Sequence, residues 1–463
     1  MKTRPLLVLF GVALLLRLAI LFSGPWSHPT RVYPHSPDSP RYVELADTLL
    51  THHTFGRPSE GGVMHLAVES LRRANGTLPP PDANGLSSEA FRTPGYPLFL
   101  AAFGGTPGLS LAYLAQCLLG AFAAVCLVVI AGALGCTPRA ALAAGWLWAL
   151  HPAAIVTDVL PLTESLFTSL GVIGLAAAAH PTTAGTGLSG VFIGATALVR
   201  PLGLLYLPSA LILAWRTARR KWVAAGVMVL VALVPTVAWS MRNASAGHGA
   251  RVSTVGDLNL YFYGAAYVIA EDRGDDWLTS WPARVEELRQ RLAAKLQPGQ
   301  DVFSLARKEA IAEFKARPVT TAKVAIKSEI KVLVDHSAGW PAVLSGYEYK
   351  ASGFFSALLS GKLDTSNLSI WSLIALPWSA LNALIALLAF VGLIRAALRR
   401  HWPLVFACLM PVVLFSVATF PVGLERFRLP FMPFLFVLTA CAVWAPARPV
   451  PSSVAAGQSL RGV

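Results

Sequence analysis

Charge is what this sequence lacks most. Only 13% of its 463 residues are Asp, Glu, Lys or Arg, against roughly 25% in a typical soluble domain. With 55% hydrophobic residues, so few charges cannot cover a chain of this length in water. A soluble globular protein is excluded. Acids are scarcer than bases, 24 against 38, for a net charge of +14. In a soluble protein that balance would suggest nucleic acid. Here the basic residues sit in short loops beside apolar runs, and no basic stripe interleaves with aromatics. Anionic lipid headgroups and the positive-inside rule account for them, so nucleic acid is excluded as a partner.

Other absences narrow the field. The five cysteines (Cys117, Cys126, Cys136, Cys408, Cys441) lie in or at the ends of apolar runs, without CxxC or disulfide-framework spacing. They read as small packing residues. No Asp-x-Asp occurs, so nothing invites a metal-bridged diphosphate, and no metal or other cofactor is expected. No internal repeat is evident, unlike the inverted repeats of many secondary transporters.

What is present is a series of near-uncharged apolar runs of membrane-spanning length. Clear ones cover 5–23, 111–133, 140–156, 162–179, 222–239, 370–394, 403–420 and 429–444. The first has a basic flank, Lys2 and Arg4, but is too long for a signal h-region and reads as a retained anchor helix. Between them, 187–199 and 202–215 are short and separated by Arg200-Pro201. Two short helices meeting at a recessed turn keep the alternation of basic loops. The expected fold is therefore an all-α polytopic bundle of about ten transmembrane helices with both termini cytoplasmic.

Two long polar segments, 24–108 and 241–369, then fall on the same outer face. The expected organisation is a membrane module over 1–241 including the loop 24–108, a helical cap over 242–369, and C-terminal helices with a short tail over 370–463. In the first segment a helix should begin at Ser39-Pro40. Its stripe of Tyr42, Leu45, Ala46 and Leu49 suits the membrane surface. The second should hold helices near 284–296, 303–314 and 319–334.

Several charged residues could carry chemistry. Asp38 stands between Pro37 and Ser39-Pro40 at a helix start. It could serve as a rigidly held general base or as an auxiliary cap. Arg17 lies about 9 Å of helix from the outer surface and is expected to snorkel there. Arg200, at the recessed turn, needs an anion: a lipid phosphate, or an ion pair with Asp158 or Glu164. Arg92, Arg242, Arg426 and Arg428 also fall at outer boundaries, against the positive-inside bias, and read as anion ligands or interfacial anchors. His28, His35, His52, His53 and His65 share the first loop without metal-ligand spacing. Asp272, Asp275 and Asp276 read as a solvated acidic loop.

The run Pro37-Asp38-Ser39-Pro40-Arg41-Tyr42, followed by Phe91-Arg92-Thr93-Pro94-Gly95-Tyr96-Pro97-Leu98-Phe99-Leu100, resembles the first outer loop of the protein O-mannosyltransferase superfamily. The match is nearest to its bacterial polyprenyl-phosphate-sugar branch, which includes the aminoarabinose transferases of lipid A. Thr163-Glu164-Ser165, Leu198-Val199-Arg200-Pro201, Ser240-Met241-Arg242-Asn243, Gly256-Asp257-Leu258-Asn259 and Glu425-Arg426-Phe427-Arg428 match further motifs in order. The resemblance implies a GT-C fold and an inverting transferase using a polyprenyl-phosphate-linked sugar in a bacterial inner membrane, with its active site on the periplasmic side. Asp38 would be the base, and Arg92, Arg200, Arg242 and Arg426 the phosphate ligands, with Glu164 orienting an arginine or a sugar hydroxyl. Tyr96, Asn259 and Arg428 complete the expected substrate contacts. The Asp-Glu pair of the protein mannosyltransferases is Asp38-Ser39 here, which favours a lipid or glycan acceptor over a protein. Two competing readings are a lipid-linked glycan polymerase or ligase, which should lack Pro-Gly-Tyr-Pro, and a flippase or transporter, which should carry repeats and charge on both faces.

Overall fold

The computed structural model describes residues 3–23, 38–57, 63–335, 370–421, 423–444 and 446. Of the expectations above, His28, His35, Ser36-Pro37, the end of the cap segment at 336–369 and the tail beyond 446 lie outside them.

The chain is an all-α multi-pass membrane protein. Helix α1 (Thr3–Ser23) is followed by three short helices of the first polar segment: α2 (Ser39–His52), α3 (Val63–Ala74) and α4 (Gly95–Ala102). The bundle continues with α5 (Leu109–Ala133), α6 (Pro138–Leu150), α7 (Pro152–Thr157), α8 (Thr163–Ala178), α9 (Thr183–Val199), α10 (Leu207–Thr217) and α11 (Lys221–Ser245). The second polar segment holds α12 (Val255–Leu258), α13 (Ala266–Arg273), α14 (Trp277–Lys295), α15 (Val302–Ala316) and α16 (Pro318–Val334). The chain closes with α17 (Ile370–Leu398), α18 (Trp402–Thr419) and α19 (Met432–Val443). Among the described residues, five helices are long and apolar enough to cross a membrane, beginning at Thr3, Thr106, Lys221, Pro377 and Trp402. The apolar helices α8, α9 and α19 are shorter.

Proline sets the breaks. The expected span 140–156 is in fact two helices, because His151 precedes Pro152 and takes extended backbone, φ −72° and ψ 123°. A residue before proline is pushed out of the helical region. The same constraint holds Arg200 extended before Pro201, and a 3-10 turn (Pro201–Tyr206) then leads into α10. The short helices on either side of Arg200-Pro201 thus form a hairpin. Thr217 at its far end bonds the Ala178 carbonyl at the C-terminus of α8. Arg200 and Glu164 therefore share one end of the bundle. Arg216, bonded to the Ala133 carbonyl, marks the opposite end.

Two cores divide the molecule. The larger joins the bundle helices to α2 and α4, and the smaller joins α3 to residues 258–310. Both polar segments thus pack into one body, also tied by Asn75 to Gly299 and Gln300. The α2 stripe was expected to face lipid. Instead Leu45 and Ala46 are buried, and Ala46 belongs to the larger core. The acidic loop is solvated, with Asp272 and Asp276 exposed, and it is also partnered: Asp272 pairs with Arg317, Asp275 with Arg284, and Asp276 caps α14.

Arg17 does not snorkel. It is fully buried, and its Nε lies 2.5 Å from Asp158 Oδ2. The break at His151-Pro152 explains this, since it turns the chain back so that Asp158 meets α1 at the level of Arg17. Gly120 leaves room for the pair, because a Cβ there would stand 2.0 Å from Asp158 Oδ2. Arg17→Met should strand a buried carboxylate and cost about 3–5 kcal/mol. Thermal unfolding of the purified protein should show a lowered Tm, largely restored in Arg17→Met/Asp158→Leu. An unchanged Tm in Arg17→Met would mean that the pair holds nothing together.

Candidate functional site

Five helix ends meet where the apolar bundle touches the polar body, and each brings one charge. Asp38 precedes α2, Arg92 precedes α4, and Glu164 is in the first turn of α8. Arg200 sits at the α9 break, and Arg426 on the 3-10 turn Glu425–Arg428 before α19. Asp38 Oδ1 is 3.1 Å from Arg92 Nη2, and Oδ2 is 2.9 Å from Arg426 Nη2. Glu164 Oε1 is 3.2 Å from Arg200 Nη2 and 3.5 Å from Arg426 Nε. Arg426 thus bridges the two acids.

Local chemistry fixes each member. The Asp38 carbonyl accepts the Tyr42 N–H, but its carboxylate makes no cap bond to α2. Its charge is directed to the guanidiniums instead. The backbone N–H groups of Phe91 and Arg92 both donate to Glu89 Oε1, which fixes the Arg92 turn. Thr93 Oγ1 donates to the Val199 carbonyl at 2.8 Å, tying that turn to Arg200. Gly95 permits the approach, because a Cβ there would lie 2.5 Å from backbone atoms of Leu198 and Val199. Aromatic faces carry the guanidiniums: Arg92 over Tyr42 and Phe91, Arg200 and Arg426 over Phe427. Such stacking suits a desolvated planar cation.

The electrostatics follow. Burial alone would raise the Asp38 carboxyl, but Arg426, Arg92 and Arg200 outweigh it and hold it at about 2. The Asp38 side chain still keeps 28% of its surface open, whereas Glu164 is 1% exposed. Asp38 is thus the accessible acid of the cluster. The Arg92 Nε is buried and has no hydrogen-bond partner among the described residues. Among the described residues, the ion pairs of this cluster join three guanidiniums to two carboxylates, an excess of one positive charge within the pairs. An anion of single charge would complete the site.

The remaining sequence-derived candidates have other partners. Arg242 donates to the Glu89 and Phe55 carbonyls and stacks on Trp239, so it fastens the end of α11 to the first polar segment. Arg428 bonds the carbonyls of Val332, Leu333 and Asp335 at the end of α16. Tyr96 is fully buried and donates to Gln116 Oε1 at 2.9 Å. Asn259 is exposed at the start of a π-helical turn (Asn259–Ala265). His52 and His53 end α2 in solvent, whereas His65 is packed edge-on against Phe91. Tyr263, on the π-helical turn, was not singled out from the sequence. Burial and the Asp38 charge push its phenol above the ordinary range. Its only sequence signal is a tyrosine-rich run beside Asn259.

The Arg92 turn should not tolerate a side chain at position 95. Gly95→Ala overpacks backbone against backbone, at about 1–3 kcal/mol. The Tm should fall, while Gly226→Ala, with nothing within 4 Å, should leave it unchanged or raise it. Equal Tm values for the two variants would contradict the close approach.

No protein-family model matches the chain, and no curated protein is significantly similar to it. Solved structures do match. The Archaeoglobus fulgidus oligosaccharyltransferase, tethered to an acceptor peptide, aligns with a TM-score of 0.51 and 15% identity over 96% of this chain and 49% of that one. The same enzyme in complex with an inhibitory peptide and a dolichol-phosphate gives 0.47 and 15% over 98% and 53%. ArnT from Cupriavidus metallidurans gives 0.34 and 16% over 95% and 77%. The chain spans about half the length of the archaeal enzyme. At such identity the likeness is one of fold: the chain has the helical membrane architecture of that oligosaccharyltransferase.

Proposed function

We propose that the chain is an inverting glycosyltransferase. In this reading it moves a sugar from a polyprenyl-phosphate donor to a hydroxyl of a lipid or glycan acceptor, at the periplasmic face of a bacterial inner membrane. The observation that carries the reading is the convergence of Arg92, Arg200 and Arg426 on two carboxylates, with one positive charge in excess within these pairs among the described residues. A sugar phosphodiester carries one negative charge. Planar guanidiniums can bind its oxygens in pairs. Metal is not needed in this scheme, because the guanidiniums supply the positive charge.

In the transfer step, the acceptor hydroxyl oxygen attacks the anomeric carbon as Asp38 takes its proton. The bond from that carbon to the phosphate oxygen breaks with inversion, and its electron pair leaves with the polyprenyl phosphate. Charge grows on that oxygen, where fixed guanidiniums are most effective. Glu164 keeps Arg200 and Arg426 aimed at it.

The resting geometry also suggests how the base is made competent. Clamped by Arg92 and Arg426 and held at about 2, Asp38 is a poor proton acceptor. A bound phosphate competes for the same N–H groups and adds negative charge beside the carboxylate. Both effects raise its proton affinity.

Two outcomes are expected. Asp38→Asn should lose turnover by about 10²–10⁴-fold while holding the donor at least as tightly, measured as release of polyprenyl phosphate and as donor binding. A rate within about threefold of wild type, below one kcal/mol of barrier, would remove Asp38 from the base role. The pH profiles should also separate. In the donor-free enzyme Asp38 stays ionised well below the ordinary Asp value of about 3.9, so kcat/KM for the donor should keep its acid limb low. In the loaded enzyme its pKa is raised, so kcat should fall on acidification at least about one unit higher. Coincident limbs would contradict the displacement.

A further inference from the structure

A second charged site lies in the polar body, outside the arginine cluster. A groove of about 650 Å³ is lined by Arg251, Asp257, Arg307, Lys308, Ile311 and Lys315, among others. That volume falls within the roughly 300–1,000 Å³ of small-ligand sites. One wall is a face of α15, because 304, 307, 308, 311 and 315 recur at helical spacing. The opposite face is held in the smaller core by Val302, Phe303, Ala306 and Ala310. The wall is therefore rigidly placed.

Its charge is unbalanced. Many cations elsewhere in the body meet acids: Arg273 with Glu287, Arg291 with Glu313, Lys295 with Glu309, Arg317 with Asp272, and Lys323 and Lys327 with Glu271. In the groove, Arg251 is taken up by Asp301 at 2.5 Å and Asp257 at 3.4 Å. Arg307 reaches Asp257 only at 3.8 Å. Lys308 and Lys315 are exposed and have no ion-pair partner among the described residues.

The groove is also tied to the cluster. From Arg251 the chain runs to Ser253 and Thr254, which bond the carbonyls of Phe91 and Ala90 beside Arg92. Three residues and a hydrogen bond span at most about 10–15 Å, so Arg251 lies within that distance of the Arg92 turn, within the reach of a short saccharide. With the transferase reading as its premise, we propose that this groove binds an acidic group of the acceptor, which is therefore a saccharide bearing carboxylate or phosphate. Lys308 and Lys315 meet its charge, and Asp257 and Ser304 meet its hydroxyls. A single exposed Ile311 on this wall offers too little apolar area for membrane docking.

The test uses the full-length protein in phosphatidylcholine nanodiscs with fluorescent trigalacturonic acid and neutral galactotriose as probes. The acidic probe should bind at least about tenfold tighter, and raised ionic strength should weaken it. Lys308→Glu/Lys315→Glu should erase the difference, as should Lys308→Gln/Lys315→Gln should the first variant fold poorly. Asp38→Asn should bind as wild type does, so a failed groove leaves the turnover test of Asp38 intact, and the converse holds. Equal binding of the two probes, or an unchanged preference in both lysine variants, overturns the assignment. Loss of the preference when phosphatidylglycerol replaces phosphatidylcholine makes the groove a lipid-headgroup site, which also overturns it.

Discussion

A guanidinium cannot remain unpaired at the end of an apolar helix. That constraint organises this molecule. Arg92, Arg200 and Arg426 stand where the bundle gives way to the polar body, out of reach of bulk water on most sides. Their charges are met by Asp38 and Glu164, which arrive from two further helix ends. Five chain segments far apart in sequence are thus brought to one point by electrostatics as much as by packing. The ion pairs stabilise the cluster, and the one positive charge in excess within those pairs among the described residues leaves it unsaturated. The same arrangement that assembles the fold leaves a place for an anion.

The supporting structure serves that cluster at close range. Glu89 holds the Arg92 turn through two backbone N–H groups, and Thr93 and Gly95 lock that turn onto the chain just before Arg200. Deeper in the bundle, Asp158 joins Arg17 and accepts from Ser165, one residue beyond Glu164. Gln116 holds the carbonyls of Asp158 and Leu160 and also accepts from Tyr96. A polar network therefore runs from α1 to the start of α8. It fixes the direction in which Glu164 emerges.

Much of this was legible in the sequence, and the reasons are physical. Apolar runs of spanning length announce membrane helices, since a helix satisfies its backbone polar groups within one continuous segment in lipid. The Arg200-Pro201 break was legible because proline restricts the preceding residue. The same reasoning applied to His151-Pro152 would have revealed that 140–156 is not one span, and with it the partner of Arg17. Which arginines share a site was harder to read. Arg242 and Arg428 occupy the same boundary as Arg200 and Arg426, yet they bond backbone carbonyls. Sequence position gives depth in the membrane but not the direction in which a side chain points. Tyr263 was hidden for a similar reason, because a π-helical turn shifts which residues share a face.

The central claim is that the three guanidiniums hold a lipid phosphate. Native mass spectrometry of the detergent-solubilised protein with equal amounts of polyprenyl phosphate and the corresponding polyprenol tests it directly. The account predicts a one-to-one complex with the phosphate in preference to the alcohol, lost in Arg200→Ala/Arg426→Ala while the protein retains its fold. Equal retention of phosphate and alcohol, or undiminished phosphate binding in that double variant, would contradict it.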